Sequence, residues 1–519
     1  MKSIESNNGW PVMSWLRVIF IVFTLFTCSV LHVYSQKTFN IIAYGAKADS
    51  KTNNSESIQA AIDAAFKNGK GRVVVPAGYF VTGPIILRSG VELHLAEGAV
   101  LLGSTHRMDY GDKDAAPLIS ANKASNILIT GKGMINGQGR DLVKDLIKQL
   151  QAGRLEDKEW RIKRPTEKNR PRMLVFKECK NVTVRGITLK NGSGWIQDYV
   201  NCDNVLIDSI NVESTEYWNN DGIDIVNSKN VRITNCNVDV SDDAICLKSE
   251  GSAGWCENVY VANCSLRSSA SGFKLGTGSR GGFKKITVRN LHVRNTYRSA
   301  IALEAVDGGF LEDIDIQNVT ATNTGNAILI RLGHRNFSDT FSTIRRVHIA
   351  NVKVEVPAGK PDIGYPVEGP LLKFPHNVFP SSITGIPGHP VEDVTLENID
   401  ITYEGGGKKE VAFFGLDTLE RVPENIAGYP EFSMFGELPA WGFYVRHVAG
   451  LTMKNIRLNI RQDDYRPAMI FDDVKKLRLS GVDISSSKQL PIIVLNRVAE
   501  QSMERIKLPI DSKDAILIK

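Results

Sequence analysis

The sequence predicts an all-β fold, a single-stranded right-handed parallel β-helix, and three observations lead there. First, the segments KNVTVRGITLKN from Lys180, DNVLIDSINVES from Asp203, KNVRITNCNVDV from Lys229, ENVYVANCSLRS from Glu257 and KKITVRNLHVRN from Lys284 repeat one pattern, x-N-V-x-I-x-N-I-x-V. Its anchors Val182, Val205, Val231, Val259, Ile286 and Ile314 follow one another at 23, 26, 28, 27 and 28 residues. Apolar residues alternating along each segment, with Asn or Gly at the bends, mark a solenoid of parallel coils. Second, the period is too short for a βαβ unit or for the four strands of a propeller blade. Third, another apolar strand recurs once per coil, as GIDI at Gly222, AICL at Ala244, GFKL at Gly272, AIAL at Ala300 and AILI at Ala327.

Along the chain, residues 1–35 carry Lys2 and Arg17 ahead of the apolar run VIFIVFTLFTCSVLHVYS. They read as a secretory leader cut after Ser35, which places the mature protein outside the cytoplasm, secreted or periplasmic, with no membrane association once the leader is removed. Residues 36–519 then form one repeat-built domain. The whole chain has a net charge of +6. No basic run interleaved with aromatics points to nucleic acid. Six cysteines lie beyond the leader without a CxxC pair, which argues against zinc and thioredoxin-like chemistry. Cys236 and Cys264 fall where other coils have Ile187, Ile210 and Leu291, so they read as reduced core residues. Two segments break the rhythm: a charged, partly helical excursion near 137–172, and a Pro- and Gly-rich rim loop near 357–390. Later coils resume with RRVHIANVKVEV, EDVTLENIDITY, AGLTMKNIRLNI and KKLRLSGVDISS.

The second strand carries the chemistry. With Ile223, Ile245, Phe273, Ile301 and Ile328 facing inward, Asp224, Cys246, Lys274, Ala302 and Leu329 form one outward column, and Val226, Lys248, Gly276, Glu304 and Arg331 the next. Asp221 and Asp243 then share a column on adjacent coils with Asp242 beside them, and neighbouring strands lie about 4.8 Å apart. Carboxylates that close raise one another's pKa, which suits a proton donor beside a base that activates water. An Asp-rich turn ladder and a calcium site are the competing readings of the same residues.

NNDGID and SDDAICLKS resemble the N-T-D and D-D blocks of glycoside hydrolase family 28, the polygalacturonase-like enzymes on pectin lyase-like solenoids. Similar stretches occur at FNIIAYGAKADSKTNNSESIQAAIDAAFKNGKGRVVVPAGYFVTGPIIL, GKGMINGQG and GWIQDYVNCDNV, so the resemblance spans roughly 38 to 350. It implies a hydrolase of a pectic or related polysaccharide, with Asp242 as general acid, Asp221 and Asp243 activating water for an inverting displacement, and Asn219 ordering the site. Where the family has G-H-G this chain has Ser271 at the histidine, and where it has R-I-K this chain has Ala302 and Glu304 at the two cations. A uronate there would be repelled unless Lys274 or Arg331 compensates, so a neutral or mixed chain is the expected substrate. Asn219, Lys248, Ser271, Lys274, Glu304 and Arg331 are the expected substrate-binding residues, with Arg280, His334 and His376 weaker candidates. The expectation is a monomer with no metal and no cofactor. A polysaccharide lyase on the same fold, with Lys274 as base, and a non-catalytic carbohydrate-binding protein are the alternatives.

Overall fold

Strands run parallel and stack coil upon coil in one continuous sheet. The computed structural model describes residues 37–251, 254–336, 340–411, 414–484 and 489–519. The leader read at 1–35 lies outside the described residues.

A coil contains three strands separated by short bends. Gln197–Val200, Asp203–Asp208 and Asn211–Ser214 make one coil, and Ile223–Val226 (β1), Lys229–Thr234 and Asn237–Val240 the next. The first strand of each later coil continues the β1 column: Ile245–Ser249 (β2), then Phe273–Ser279 (β3). From there the bends are absorbed into long strands, Gly282–Ala305 (β4) and Phe310–Leu332 (β5). The six repeat anchors are direct neighbours in register, Val182 on Val205 and so on to Ile314, and the column continues through Val347, Val394, Leu451 and Leu477. All are buried. Each such side chain contributes about 1.5–3 kcal/mol by leaving water.

Seven successive coils turn one corner at an asparagine with positive φ, where Gly186 and Ser209 stand in the coils before and Gly481 in the one after. Asn235, Asn263, Asn290, Asn318, Asn351, Asn398 and Asn455 all have φ between 54° and 62°. This left-handed conformation is one that Asn tolerates better than most residues with a β-carbon. Each side-chain amide donates to the carbonyl oxygen of the Asn one coil earlier, from Asn263 on Asn235 through Asn455 on Asn398.

Helix α1 (Ser55–Lys67) buries Ile58, Ala61, Ile62 and Ala65 against strands Thr38–Asn40 and Gly71–Val75 at the first coils. The excursion near 137–172 holds helix α2 (Gly139–Gln151), which buries Leu142, Val143, Leu146 and Leu150. The rim segment near 357–390 is not wholly a loop. Ser381–Thr384 is a strand paired to β5 on one side and to Phe443–Gln462 on the other. Among the described residues six cysteines are free and buried, Cys236 and Cys264 among them, and Cys264 lies beside Leu291 in register. No helix among the described residues is long and apolar enough to cross a membrane.

The outward column Asp224, Cys246, Lys274, Ala302, Leu329 is found as read. The next column is not continuous. Lys248 follows Val226 and Arg331 follows Glu304, but the register slips after Leu247 so that Ser249 pairs with Ser279, and Gly276 is not under Lys248. Between these pairs β3 has two residues more than β2. Gly276 has φ +103°, and a β-carbon would lie 2.9 Å from the Glu304 carbonyl oxygen.

Candidate active site

Asp221 and Asp243 each precede by two residues the paired Ile223 and Ile245, so β1 and β2 stack them. The Gly222 amide donates to the Asp243 carbonyl at 2.9 Å, and the Ala244 amide to that of Ser271 at 2.9 Å. Gly222 has no alternative: a β-carbon would lie 2.5 Å from the Ala244 carbonyl oxygen. The Asp243 amide donates to its neighbour's Oδ1 at 3.0 Å, turning the Asp242 carboxyl back over the cluster. One carboxylate oxygen from each of Asp221, Asp242 and Asp243 lies within 4.8 Å of the other two. Asp221 and Asp243 are buried, and Asp242 is half-buried.

Two lysines reach the cluster from the neighbouring columns. Lys248 Nζ lies 2.9 Å from Asp221 Oδ2 and also bonds Asp224. Burial disfavours this ammonium, but Asp221 and Asp224 outweigh it and hold its pKa well above the usual lysine range. Burial pushes the Asp224 carboxyl up. Lys274 Nζ lies 3.1 Å from Asp243 Oδ2 and 3.7 Å from Glu304 Oε2, and it too stays protonated because these carboxylates outweigh its burial. A lysine held protonated in this way is a poor proton abstractor.

The aspartates are pushed apart in acidity. Burial, then the charges of Asp221 and Asp243, push Asp242 up to about 7. Burial acts the same way on Asp243, but Lys274, Arg298 and Lys248 outweigh it and hold this carboxyl below the usual range. One site thus contains a carboxyl that keeps its proton near neutrality next to one that does not. A proton donor for a leaving oxygen and a base for water require that combination. Burial also raises Glu304 to about 7 against the pull of Lys274.

Asn219, in the left-handed conformation at φ 55°, turns its amide toward Asp242 Oδ2 at 3.4 Å. Its own oxygen accepts from Arg170 Nη2 at 2.8 Å, and Arg170 also holds the carbonyls of Pro165, Ser193 and Trp218. Buried Ser271 gives its backbone amide to Asp243 Oδ1 at 3.0 Å. The structure therefore brings Asn219, Lys248, Ser271, Lys274 and Glu304 to the three aspartates. Arg331 is not brought there. Its guanidinium donates to the carbonyls of Gly385, Glu424 and Asn425, its charged neighbours are Glu424 and Arg446, and burial lowers it to about 10. Among the weaker candidates, His376 packs edge-on against Tyr297 and burial lowers it to about 4, His334 stacks on Phe341, and Arg280 is exposed.

Four groups at the site were not singled out from sequence. Arg170 comes from the excursion, and Arg298 from β4. Tyr429 and Glu431 come from a loop late in the chain, where the Tyr429 hydroxyl lies 3.4 Å from Lys274 Nζ and Glu431 Oε2 lies 3.6 Å from Arg298 Nε. Trp195 belongs to the GWIQDYVNCDNV stretch. Two cations lie over its ring, Arg172 at 4.0 Å from the centroid and Lys248 at 4.1 Å.

Residues 67–415, more than half of the chain, match the family described as glycosyl hydrolases family 28. An exopolygalacturonase of Zea mays is 26% identical over 368 residues, covering 70% of this chain and 76% of that protein. An exo-poly-alpha-D-galacturonosidase of Dickeya chrysanthemi is 29% identical over 251 residues, 40% of this chain and 41% of its own length. Among solved structures, a hyperthermoactive exopolygalacturonase from Thermotoga maritima superposes with a TM-score of 0.57 at 25% identity, covering 70% of this chain and 87% of its own. The polygalacturonase of Erwinia carotovora, at 18% identity and a TM-score of 0.53, shares the fold.

Proposed function

This chain belongs to glycosyl hydrolases family 28, and from that premise we propose that it is an exported enzyme that cleaves a pectic polysaccharide by an inverting, acid/base-assisted attack of water. That it is a polygalacturonase-type glycoside hydrolase of pectin follows from the family and its relatives. The finer reading assigns a role to each residue. Asp242 gives its proton to the leaving glycosidic oxygen, while Asp221 and Asp243 orient a water molecule and take its proton as it attacks the anomeric carbon. Asn219, fixed by Arg170, sets the direction of the Asp242 carboxyl. The apolar run after Arg17, read from sequence as a leader over 1–35, supports export.

The observation that carries this reading is the cluster itself: one carboxylate oxygen from each of Asp221, Asp242 and Asp243 lies within 4.8 Å of the other two, and Lys274 sits 3.1 Å from Asp243, an arrangement that raises Asp242 and holds Asp243 low. It favours hydrolysis over lyase chemistry, because Lys274, the residue a lyase would need as its base, is locked as a cation between Asp243 and Glu304. The carboxylates are closer together than the roughly 6.5–9.5 Å usual for an inverting pair. Asp221 and Asp243 therefore hold the water jointly.

The test uses purified protein and polygalacturonan. New reducing ends without ultraviolet absorbance are the expected product, and a first-formed anomer of opposite configuration to the cleaved bond is expected by NMR. Absorbance from an unsaturated product would make the protein a lyase, absence of any product a binding protein, and a retained anomer would replace the water in the first step with a direct carboxylate attack.

A further inference from the structure

Three cations surround the half-exposed ring of Tyr429: Lys274 Nζ is 5.5 Å from its centroid, and the guanidinium carbons of Arg298 and Arg335 are 5.8 Å and 5.9 Å away. Two of them are committed. Lys274 is held by Asp243 and Glu304, and Arg335 forms a two-pronged pair with Asp307 at 2.9 Å and 2.8 Å. Arg298 is different. Among the described residues its buried Nε has no hydrogen-bond partner, and its ion pair with Glu431, at 3.6 Å, is too long for a hydrogen bond. It forms no ion pair with Asp242 or Asp243, although its charge lowers both. A half-buried guanidinium left without close acceptors at the mouth of a site is an anion receptor, because its planar fork fits a carboxylate with two parallel hydrogen bonds.

We propose that Arg298, with the Tyr429 ring as a platform for the sugar face, is the specificity-determining residue of this site and binds the carboxylate of a uronate unit next to the scissile bond. The inference rests on the hydrolase reading above and deepens it. Positions 302 and 304, an alanine and a glutamate already held by Lys274, supply no free cation, whereas Arg298 lies a few residues earlier in β4, where the register shifts between Thr296 and Ser299. Glu431 competes with the incoming carboxylate, so it acts as a gatekeeper for weakly charged substrates.

The test compares polygalacturonan with its fully methyl-esterified form, which has the same chain but neutral carboxyls, for the parent protein, Arg298→Gln, Arg298→Lys and Glu431→Gln. The melting temperature of each variant is checked first. Arg298→Gln is expected to lower kcat/KM on polygalacturonan on the order of 100-fold, mainly through KM, and to lower it much less on the ester, where only its electrostatic effect on Asp242 and Asp243 is lost, since a charge-assisted pair acts only where the charge exists. Arg298→Lys should recover part of the loss, and Glu431→Gln should lower KM on polygalacturonan alone. Calorimetry with trigalacturonate on Asp242→Asn protein, with and without Arg298→Gln, reads the same subsite without turnover. Equal losses on both polymers would mean that Arg298 acts on the aspartates, and unchanged kinetics that it faces no carboxylate; either overturns the inference. If the parent cleaves neither polymer, the hydrolase reading fails, and trigalacturonate binding that does not depend on Arg298 would overturn the subsite as well.

Discussion

Lys248 and Asp221 form a buried ion pair at 2.9 Å, with Asp224 on the other flank of the same ammonium. Removing the cation leaves two buried carboxylates facing each other without compensation. Lys248→Met is therefore expected to destabilise the fold by about 3–5 kcal/mol, and adding Asp224→Asn to restore a large part. Denaturant unfolding at pH 7 checks both, and a single variant of parental stability would show that water already solvates the pair.

Asp242→Asn keeps the shape of the side chain and loses the proton. Turnover should fall on the order of a thousandfold or more with the fold intact. Because the acid works protonated and its pKa is raised to about 7, parental activity should decline as the pH rises through that value. The same shift has a stability consequence. Between the ordinary value of 3.8 and about 7 the native state holds a proton that the unfolded chain has released, so its advantage is lost as pH rises and the ionised carboxyl is a burden above 7. The asparagine variant should accordingly melt higher than the parent at pH 8 and lose that margin near pH 4. A near-normal rate in this variant would move the acid to another residue.

The three aspartates have the spacing of a hard-cation site. Two ammonium groups already neutralise them, Lys248 at Asp221 and Lys274 at Asp243. A chelator is thus expected to change neither the melting temperature nor the rate. A large loss restored by added calcium would make the cluster a metal site.

Introducing the two cations of the R-I-K block together, Ala302→Arg with Glu304→Lys, is expected to fail. Both positions are buried, and Glu304 is the partner of buried Lys274. The exchange puts like charges side by side in a dry place, and the expected outcome is a loss of several kcal/mol in thermal or denaturant unfolding. A stable double variant with improved activity on polygalacturonan would show that the wall can rearrange.

The solenoid was legible because its information is local and repeated. The spacing of Val182, Val205 and Val231 already places them in one column, and the register of Ile223 on Ile245 puts Asp221 and Asp243, two residues before each, on adjacent coils. Legibility ended where the register slips, since nothing in GTGS announces that Gly276 leaves the Lys248 column. It ended too where chain distance is long. Tyr429 meets Lys274 from 155 residues away, and Arg170 and Arg298 look like any surface arginine until the excursion and the late loop enclose them. Arg331 failed for the opposite reason: its column position was right, but a loop covers it and its donors satisfy that loop's carbonyls.

The asparagine corner also says how such a protein can change. Successive rungs of the ladder are separated by 28, 27, 28, 33, 47 and 57 residues, yet the amide-to-carbonyl bond between them persists throughout. The added length leaves the coil elsewhere and becomes the rim segment near 357–390 and the loop that brings Tyr429. Doubling the length of a flexible closure adds only about 0.6 kcal/mol, less than a typical net hydrogen bond contributes at about 1 kcal/mol. Wall length is thus nearly neutral for the scaffold, and an insertion that reshapes the groove can arise in a single event without compensating changes among the stacked coils.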